Sequence, residues 1–212
     1  MKIIEKILSE NLHIYNDTFI FDIETTGLNP KFCKIILIGI LYNCQDKTII
    51  KQFFAENEDD EKELLTTFVE EIRHFKRHVT YNGLAFDIGF INHRLKKHNI
   101  DFNLNKEDDF DIFKFIKSFK EPLGLESCSL TTVERYFGIH RKDIIDGGES
   151  IKLYEEFIKS QDKNIMNTIL LHNYEDVYNL SKLINIEDLV KEKLDLKETF
   201  SEFHDDLGFV IG

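Results

Sequence analysis

The sequence predicts an α/β fold in which a mixed β-sheet of about five strands is flanked by helices. Three apolar runs within residues 18–54 have the length and composition of strands. Beyond them, segments with helical spacing of apolar residues alternate with short apolar segments. Strands that first follow one another and then alternate with helices are typical of a mixed sheet with helices on its faces.

Three strands open the predicted sheet. Thr18–Glu24 is rich in aromatic and β-branched residues, Ile35–Tyr42 is almost wholly apolar, and Thr48–Phe54 alternates between apolar and polar residues. The polar segment Asn43–Lys47 is predicted to be a hairpin turn. Residues 1–16, ahead of these strands, are predicted to be helical and then irregular.

Helices and short strands alternate in the rest of the chain. Glu58–Lys76 is predicted to be a helix because its apolar residues recur three and four positions apart. Ser129 is of the residue type that caps a helix N-terminus. The remaining predicted strands are His78–Tyr81 and Phe110–Ile112, and the remaining predicted helices are Ala85–His98, Phe113–Phe119, Ser129–Phe137, Glu149–Ile158 and Asn164–Ile184.

The length, composition and net charge of the chain limit its possible domain organisation and function. The 212 residues, 42% of them hydrophobic, predict one domain over residues 1–185, followed by an acidic tail or docking helix over residues 186–212. The tail holds eight acidic residues against three lysines. The net charge of −12 argues against a broad basic surface for nucleic acid, but it is compatible with a nuclease whose metal site is itself acidic.

The sequence also predicts a cellular location. No apolar run approaches the length of a membrane span, about 18 residues, and the N-terminus lacks the apolar segment of a signal peptide. The cysteines, Cys33, Cys44 and Cys128, are odd in number and form no C-x-x-C pair. We therefore expect reduced thiols, no zinc site, no membrane partner and a cytoplasmic location.

The most informative stretch of the chain is Phe21–Gly27. Asp22 and Glu24 are two residues apart at the end of a strand, so both side chains point to one face while Ile23 points into the core. Two adjacent carboxylates repel each other unless a cation lies between them, and hard oxygen ligands suit Mg²⁺ or Mn²⁺. Taken alone, the pair is also typical of a solvated strand end.

Two further acidic sites follow. Asp87 falls in the first turn of the predicted helix Ala85–His98, and this helix follows the turn signal Asn82-Gly83. An acid at that position also has a purely structural explanation, because it complements the helix dipole. His172 and Asp176 are four residues apart on a predicted helix and share one face, which is also common on solvated helices.

Three acidic sites thus follow one another along the chain: a strand pair, an acid at a helix start, and a His–Asp pair on a late helix. In this order they resemble the motifs of the DEDD superfamily of 3′–5′ exonucleases, which have an RNase H-like fold. The chain is most similar to the YprB-like RNase H-like group within it. The stretch Ser129–Ile139, followed by Arg141 and Asp146-Gly147, adds to the resemblance, which covers residues 17–185.

The resemblance implies a two-metal centre. Two divalent ions, Mg²⁺ or Mn²⁺ about 4 Å apart, would help to generate the attacking hydroxide and stabilise the leaving 3′-oxygen. Their ligands would be the four carboxylates Asp22, Glu24, Asp87 and Asp176.

His172 is the candidate for the catalytic base. One branch of the superfamily has Tyr four residues before the last Asp, and another has His five residues before it. This chain has His172 four residues before Asp176, which is the residue type of the second branch at the spacing of the first. An imidazole titrates near neutrality and can orient or deprotonate water, whereas Leu171 cannot, and Tyr174 and Tyr178 lie on other parts of the helix.

The resemblance also implies substrate contacts. Leu28 would wedge against the terminal bases, Thr25 would offer its backbone near the 3′ end, and Asn82 and Phe86 would line the same pocket. For Phe86 and Leu28, packing in the core or on the surface is the alternative. Candidate phosphate contacts are either Arg94, Lys96 and Lys97 or His140, Arg141 and Lys142, and each of these is also typical of an ordinary solvated charge run.

Together these features predict a metal-dependent 3′–5′ exonuclease that hydrolyses phosphodiester bonds at single-stranded 3′ ends of DNA or RNA. A structure-specific endonuclease of the same fold and a catalytically silent nucleic-acid-binding module are the alternatives. An added interaction role for the acidic tail stays open.

Overall fold

The computed structural model describes residues 1–10, 12, 14–143, 145 and 147–206, and from residue 197 onward only the helical backbone. One sheet has the spatial strand order β1-β4-β3-β2-β5-β6. The first four strands in this order are antiparallel neighbours, whereas β5 and β6 run parallel to β2. The strands are β1 (Lys2–Ile7), β2 (Thr18–Thr25), β3 (Ile35–Cys44), β4 (Lys47–Phe54), β5 (Arg77–Thr80) and β6 (Asp109–Asp111).

Helices cover both faces of this sheet. Ser129 caps α5 as predicted, because its hydroxyl accepts a hydrogen bond from the Thr132 backbone N–H at 3.3 Å. The short helix α4 has no counterpart in the predicted elements. The helices are α1 (Glu61–Ile72), α2 (Asp87–Lys97), α3 (Ile112–Lys117), α4 (Lys120–Leu123), α5 (Leu130–Tyr136), α6 (Gly147–Ser160), α7 (Lys163–Lys182) and α8 (Ile186–Asp206).

The mixed α/β sheet is confirmed, but the prediction of a helix near the N-terminus is wrong. Lys2–Ile7 is strand β1, which pairs antiparallel with β4 from Lys2 opposite Phe54 to Ile7 opposite Ile49. The apolar residues of this segment fit a helical repeat as well as an edge strand. Without β1, the backbone groups along one edge of β4 would lack partners, and this tertiary effect decides the outcome.

The side chains of β2 alternate between two cores. Phe19, Phe21 and Ile23 pack in the core that includes α1 and α2, whereas Ile20 packs in the core that includes α3 and α7. Asp22 and Glu24 share a strand face with Ile20 because side chains alternate along a strand. Helix α7 packs across β2, β3 and β4, so it lies next to both acids.

A buried ion pair joins α1 to α2. Nε of Arg94 donates to Oε1 of Glu61 at 2.7 Å, and its Nη2 contacts Oε2 of the same carboxylate. Arg94 is 1% exposed, and its Nη1 donates to the Pro30 carbonyl at 3.0 Å. The prediction that Arg94 contacts phosphate is therefore wrong, since the guanidinium is buried and holds the two helices and the loop after β2.

Helix α8 begins inside the fold. Ile186 and Val190 are buried in the same core as Leu183 at the end of α7. The predicted division of the chain after residue 185 stays a prediction, and residues 207–212 of the predicted tail lie outside the described residues. Within the described part of the chain, every helix is too short or too polar to cross a bilayer.

Candidate metal centre

Asp22 lies in a row of residues that crosses three strands. In the sheet register, Asp22 is opposite Gly39 on β3, which is opposite Gln52 on β4. Asn173 of α7 lies over this row: its Nδ2 donates to Oδ2 of Asp22 at 2.9 Å, and its Oδ1 accepts from Nε2 of Gln52 at 2.9 Å. A Cβ atom on Gly39 would lie 2.1 Å from Oδ1 of Asn173, so glycine is required for α7 to approach the sheet.

Asp87 reaches the site from the first turn of α2. The turn before it is held by Asp111 at the end of β6, which accepts from the backbone N–H groups of Asn82 at 2.8 Å and Leu84 at 3.2 Å. A Cβ atom at Gly83 would lie 2.4 Å from the Thr80 hydroxyl oxygen. These contacts fix where α2 begins, and Asp87 is buried there at 6% exposure.

His172 lies between two further acids. Its Nε2 atom is 3.6 Å from Oε1 of Glu24 and 3.6 Å from Oδ2 of Asp176. One ligand atom from each of these three residues lies within 4.8 Å of the others. His172 and Asp176 are one turn apart on α7, so both side chains reach Glu24 near the end of β2.

The loop between α5 and α6 contributes a cation and another acid. Nη2 of Arg141 donates to Oδ1 of Asp176 at 2.7 Å, and its Nη1 donates to Oε1 of Glu134 at 3.0 Å. Asp143 accepts from Nε of Arg141 at 2.8 Å and lies 2.5 Å from Nδ1 of His172. Three carboxylates contact the guanidinium of Arg141, and its role as a phosphate contact stays a prediction.

Burial and mutual repulsion raise the pKa values of the central acids. The pKa of Asp22 lies well above its ordinary range, first because of burial and then because Asp176, Asp87 and Glu24 are close. Burial raises the pKa of Glu24 to about 7, although His172 opposes the rise. Burial also raises the pKa of Asp87 to about 7 and that of Asp176 above its ordinary value.

The donor set fits divalent metal ions. Four carboxylates from β2, α2 and α7 influence one another's pKa values, so they form one electrostatic cluster. Hard oxygen donors of this kind suit Mg²⁺ and Mn²⁺. A bound dication would offset the repulsion that raises these pKa values. The residues that could hold metal are Asp22, Glu24, Asp87 and Asp176, with His172 at the edge of the cluster.

The four predicted substrate contacts occupy different environments. Leu28 is 81% exposed in the loop after β2, and the buried Thr25 hydroxyl donates to the Gly27 carbonyl at 2.8 Å. Asn82 has a φ of +66° in the turn before α2. Phe86 is half-buried, and its ring centroid lies 5.3 Å from that of Phe90, so it packs against the core. The role of each in substrate binding stays a prediction.

Sequence reasoning missed three residues around these acids. Asn173 fixes the carboxylate of Asp22, and Asp111 fixes the turn before Asp87. Asp143 contacts His172. Gly39, within an apolar strand, was the available signal for the close approach of Asn173. For Asp111 and Asp143 no local pattern existed, because their partners are 29 residues away in the chain. Asp146, part of the resemblance, lies outside the described residues.

Comparison with known proteins assigns the chain to a family. The sequence profile of the RNase_H superfamily matches residues 19–186. The uncharacterized protein YprB of Bacillus subtilis (strain 168) is 32% identical over 172 residues, which are 79% of this chain and 41% of YprB. The PolC-type DNA polymerase III of Ureaplasma parvum serovar 3 is 35% identical over 127 residues, which are 48% of this chain and 9% of the polymerase.

The fold also resembles a part of a larger enzyme. The family B DNA polymerase from the hyperthermophilic archaeon Pyrobaculum calidifontis matches with a TM-score of 0.62 and 18% identity, over 80% of this chain and 24% of the polymerase chain. This chain thus spans less than half of each of these proteins. The predicted resemblance to YprB-like RNase H-like proteins is confirmed. Since the family profile covers residues 19–186, the chain belongs to the RNase_H superfamily.

Proposed function

We propose that this chain is a metal-dependent 3′–5′ exonuclease that removes nucleotides from single-stranded ends of DNA or RNA. The observation that carries the proposal is the convergence of four acids, Asp22, Glu24, Asp87 and Asp176, in one buried cluster with His172 beside it. Members of the RNase_H superfamily are generally nucleases, and two of the similar proteins are DNA polymerases.

The residues of the cluster have distinct roles in this proposal. The four carboxylates would hold two divalent cations, which would supply activation of the attacking water and stabilisation of the leaving 3′-oxygen. Asn173 orients the carboxylate of Asp22 through its 2.9 Å hydrogen bond, and Arg141 holds Oδ1 of Asp176 so that Oδ2 faces His172.

His172 accepts the proton of the attacking water in this proposal. Burial lowers its pKa, but the nearby carboxylates of Asp176 and Glu24 outweigh burial, so the pKa lies above its ordinary value. Bound dications would reverse that electrostatic effect and favour the neutral ring. Neutral imidazole is the form that can act as a general base.

The loop after β2 supports an end-binding substrate mode. Leu28 is 81% exposed and follows Glu24 by four residues. The loop is fixed at its base, because the Thr26 backbone N–H donates to the Lys34 carbonyl and the Lys34 backbone N–H donates to the Thr26 hydroxyl, both at 2.9 Å. An apolar side chain held out by a fixed loop can pack against an unpaired terminal base.

End-labelled oligonucleotides test the proposal. Single-stranded DNA and RNA, each labelled at the 5′ or the 3′ end, are incubated with Mg²⁺, Mn²⁺ or chelator, and the products are sized. We expect a 5′-labelled substrate to shorten stepwise and a 3′-label to be released at once as a mononucleotide, in either case only with metal. Cleavage of a circular single strand would favour the endonuclease, and binding without cleavage under all conditions would favour the silent module.

A further inference from the structure

The ring of His172 has contacts at both nitrogens. Nε2 faces Glu24 and Asp176, with an oxygen of each at 3.6 Å. Nδ1 lies 2.5 Å from Oδ2 of Asp143 on the loop between α5 and α6. The contact with Asp143 is the only one of the three within hydrogen-bond distance, so it decides how the ring is oriented.

Asp143 is set up as a hydrogen-bond acceptor. Its side chain is 3% exposed, and Oδ1 already accepts from Arg141, which leaves Oδ2 for the ring. Burial raises the pKa of Asp143, but Arg141 and His172 outweigh burial, so the pKa lies below its ordinary value. An ionised carboxylate has no proton to give, and Nδ1 of His172 is therefore the donor.

We propose that Asp143 is a positioning residue that holds neutral His172 in the Nδ1–H tautomer and keeps the lone pair of Nε2 directed between Glu24 and Asp176. A neutral imidazole carries one ring proton, so a proton fixed on Nδ1 leaves Nε2 able to accept another. This inference rests on the proposed role of His172 as the base. Asp143 acts through His172 and touches no reacting atom.

Arg141 holds Asp143 in position through contacts other than the one with His172. One guanidinium joins Oδ1 of Asp143, at 2.8 Å, to Oδ1 of Asp176, at 2.7 Å. A third acid, Glu134, contacts its Nη1 at 3.0 Å. Since Asp176 and His172 are on the same helix, the loop is tied to α7 at both the ring and the carboxylate. The acceptor is thereby held in place by contacts that do not involve the ring.

The tautomer can be read in the metal-free protein. Two-bond ¹H–¹⁵N NMR correlations of the His172 ring, recorded at a pH alkaline enough for the ring to be neutral, distinguish a protonated Nδ1 from a protonated Nε2. We expect Nδ1–H in the wild type and a substantial Nε2–H population in Asp143→Asn, because an amide can also donate. Glu134→Gln should retain the wild-type tautomer, since it removes a partner of Arg141 and leaves the contact between Asp143 and His172.

Two NMR results would overturn the proposal. One is a neutral wild-type ring protonated at Nε2. The other is an unchanged Nδ1–H tautomer in Asp143→Asn. Neither reading requires nuclease activity, so both are independent of the proposed function.

Nuclease rates then test the positioning role of Asp143 separately from the proposed nuclease function. Asp143→Asn should lower kcat about 10- to 100-fold with little change in KM, and Asp143→Glu, which keeps the acceptor, should lose less. The exposed control Asp101→Asn should keep the wild-type rate. A wild type with the Nδ1–H tautomer but no cleavage would refute the proposed function alone. Wild-type kcat in Asp143→Asn would refute the positioning role alone.

Discussion

Replacing Asp87 by asparagine should stabilise the metal-free protein. Burial raises the pKa of Asp87 from its ordinary value of 3.8 to about 7. An acid whose pKa is higher in the folded than in the unfolded state destabilises the fold once it must ionise. This penalty is absent below pH 3.8, grows as the pH rises towards about 7 and is constant above that.

The size of the effect follows from the same pKa values. Each pH unit between 3.8 and about 7 is worth about 1.4 kcal/mol, so ionised Asp87 costs about 4 kcal/mol. This is an upper limit for the gain in Asp87→Asn, because Asp22 and Glu24 can bind a proton in its place. Asparagine has nearly the same shape, and its amide oxygen can still accept a backbone hydrogen bond, so the substitution mainly removes the charge.

Urea unfolding in chelator measures this gain. We expect Asp87→Asn to raise the free energy of unfolding by up to about 4 kcal/mol at about pH 8 and to change it little at about pH 4. The exposed control Asp101→Asn should stay within about 0.5 kcal/mol of wild type at both pH values. A loss of stability in Asp87→Asn at the higher pH, or the same gain at both, would refute the reasoning.

Four further outcomes are expected. Mn²⁺ at about 100 times its Kd should stabilise the wild type by about 2.7 kcal/mol and Asp87→Asn by less, as measured by unfolding with and without metal. Asp22→Ala and Asp176→Ala should abolish cleavage while circular dichroism shows an intact fold. His172→Ala should lower the chemistry-limited rate about 10²- to 10⁴-fold, with part retained in His172→Tyr; a loss below about threefold would exclude His172 as the base. Glu61→Gln should cost about 3–5 kcal/mol of unfolding free energy, because it leaves buried Arg94 without its carboxylate.

The parts of the fold that depend on local pattern could be predicted from the sequence. The strand Thr18–Glu24 and the alternation that places Asp22 and Glu24 on one face need only the two-residue repeat of a strand. The shared face of His172 and Asp176 likewise follows from helical spacing. Their convergence with Asp87 followed from the resemblance to a known family, and the roles of all five residues stay predictions.

The parts that depend on distant partners could not be predicted in this way. Strand β1 forms because the edge of β4 is available, which no property of Lys2–Ile7 reveals. Arg94 and Arg141 each carry a charge that reads as a phosphate contact, but acids far along the chain bind both. Asp143 could not be predicted for the same reason, because its partner His172 lies on another element.

One time course tests most directly whether the carboxylate cluster carries the chemistry. Wild type and Asp87→Asn are compared on a 5′-labelled single strand of DNA and of RNA in Mn²⁺, after unfolding has shown that the variant is folded. The prediction is stepwise shortening by the wild type and a rate at least about 10²-fold lower for Asp87→Asn, since the substitution removes a proposed metal ligand. Equal rates for the two proteins, or no cleavage of either substrate by the wild type, would contradict it.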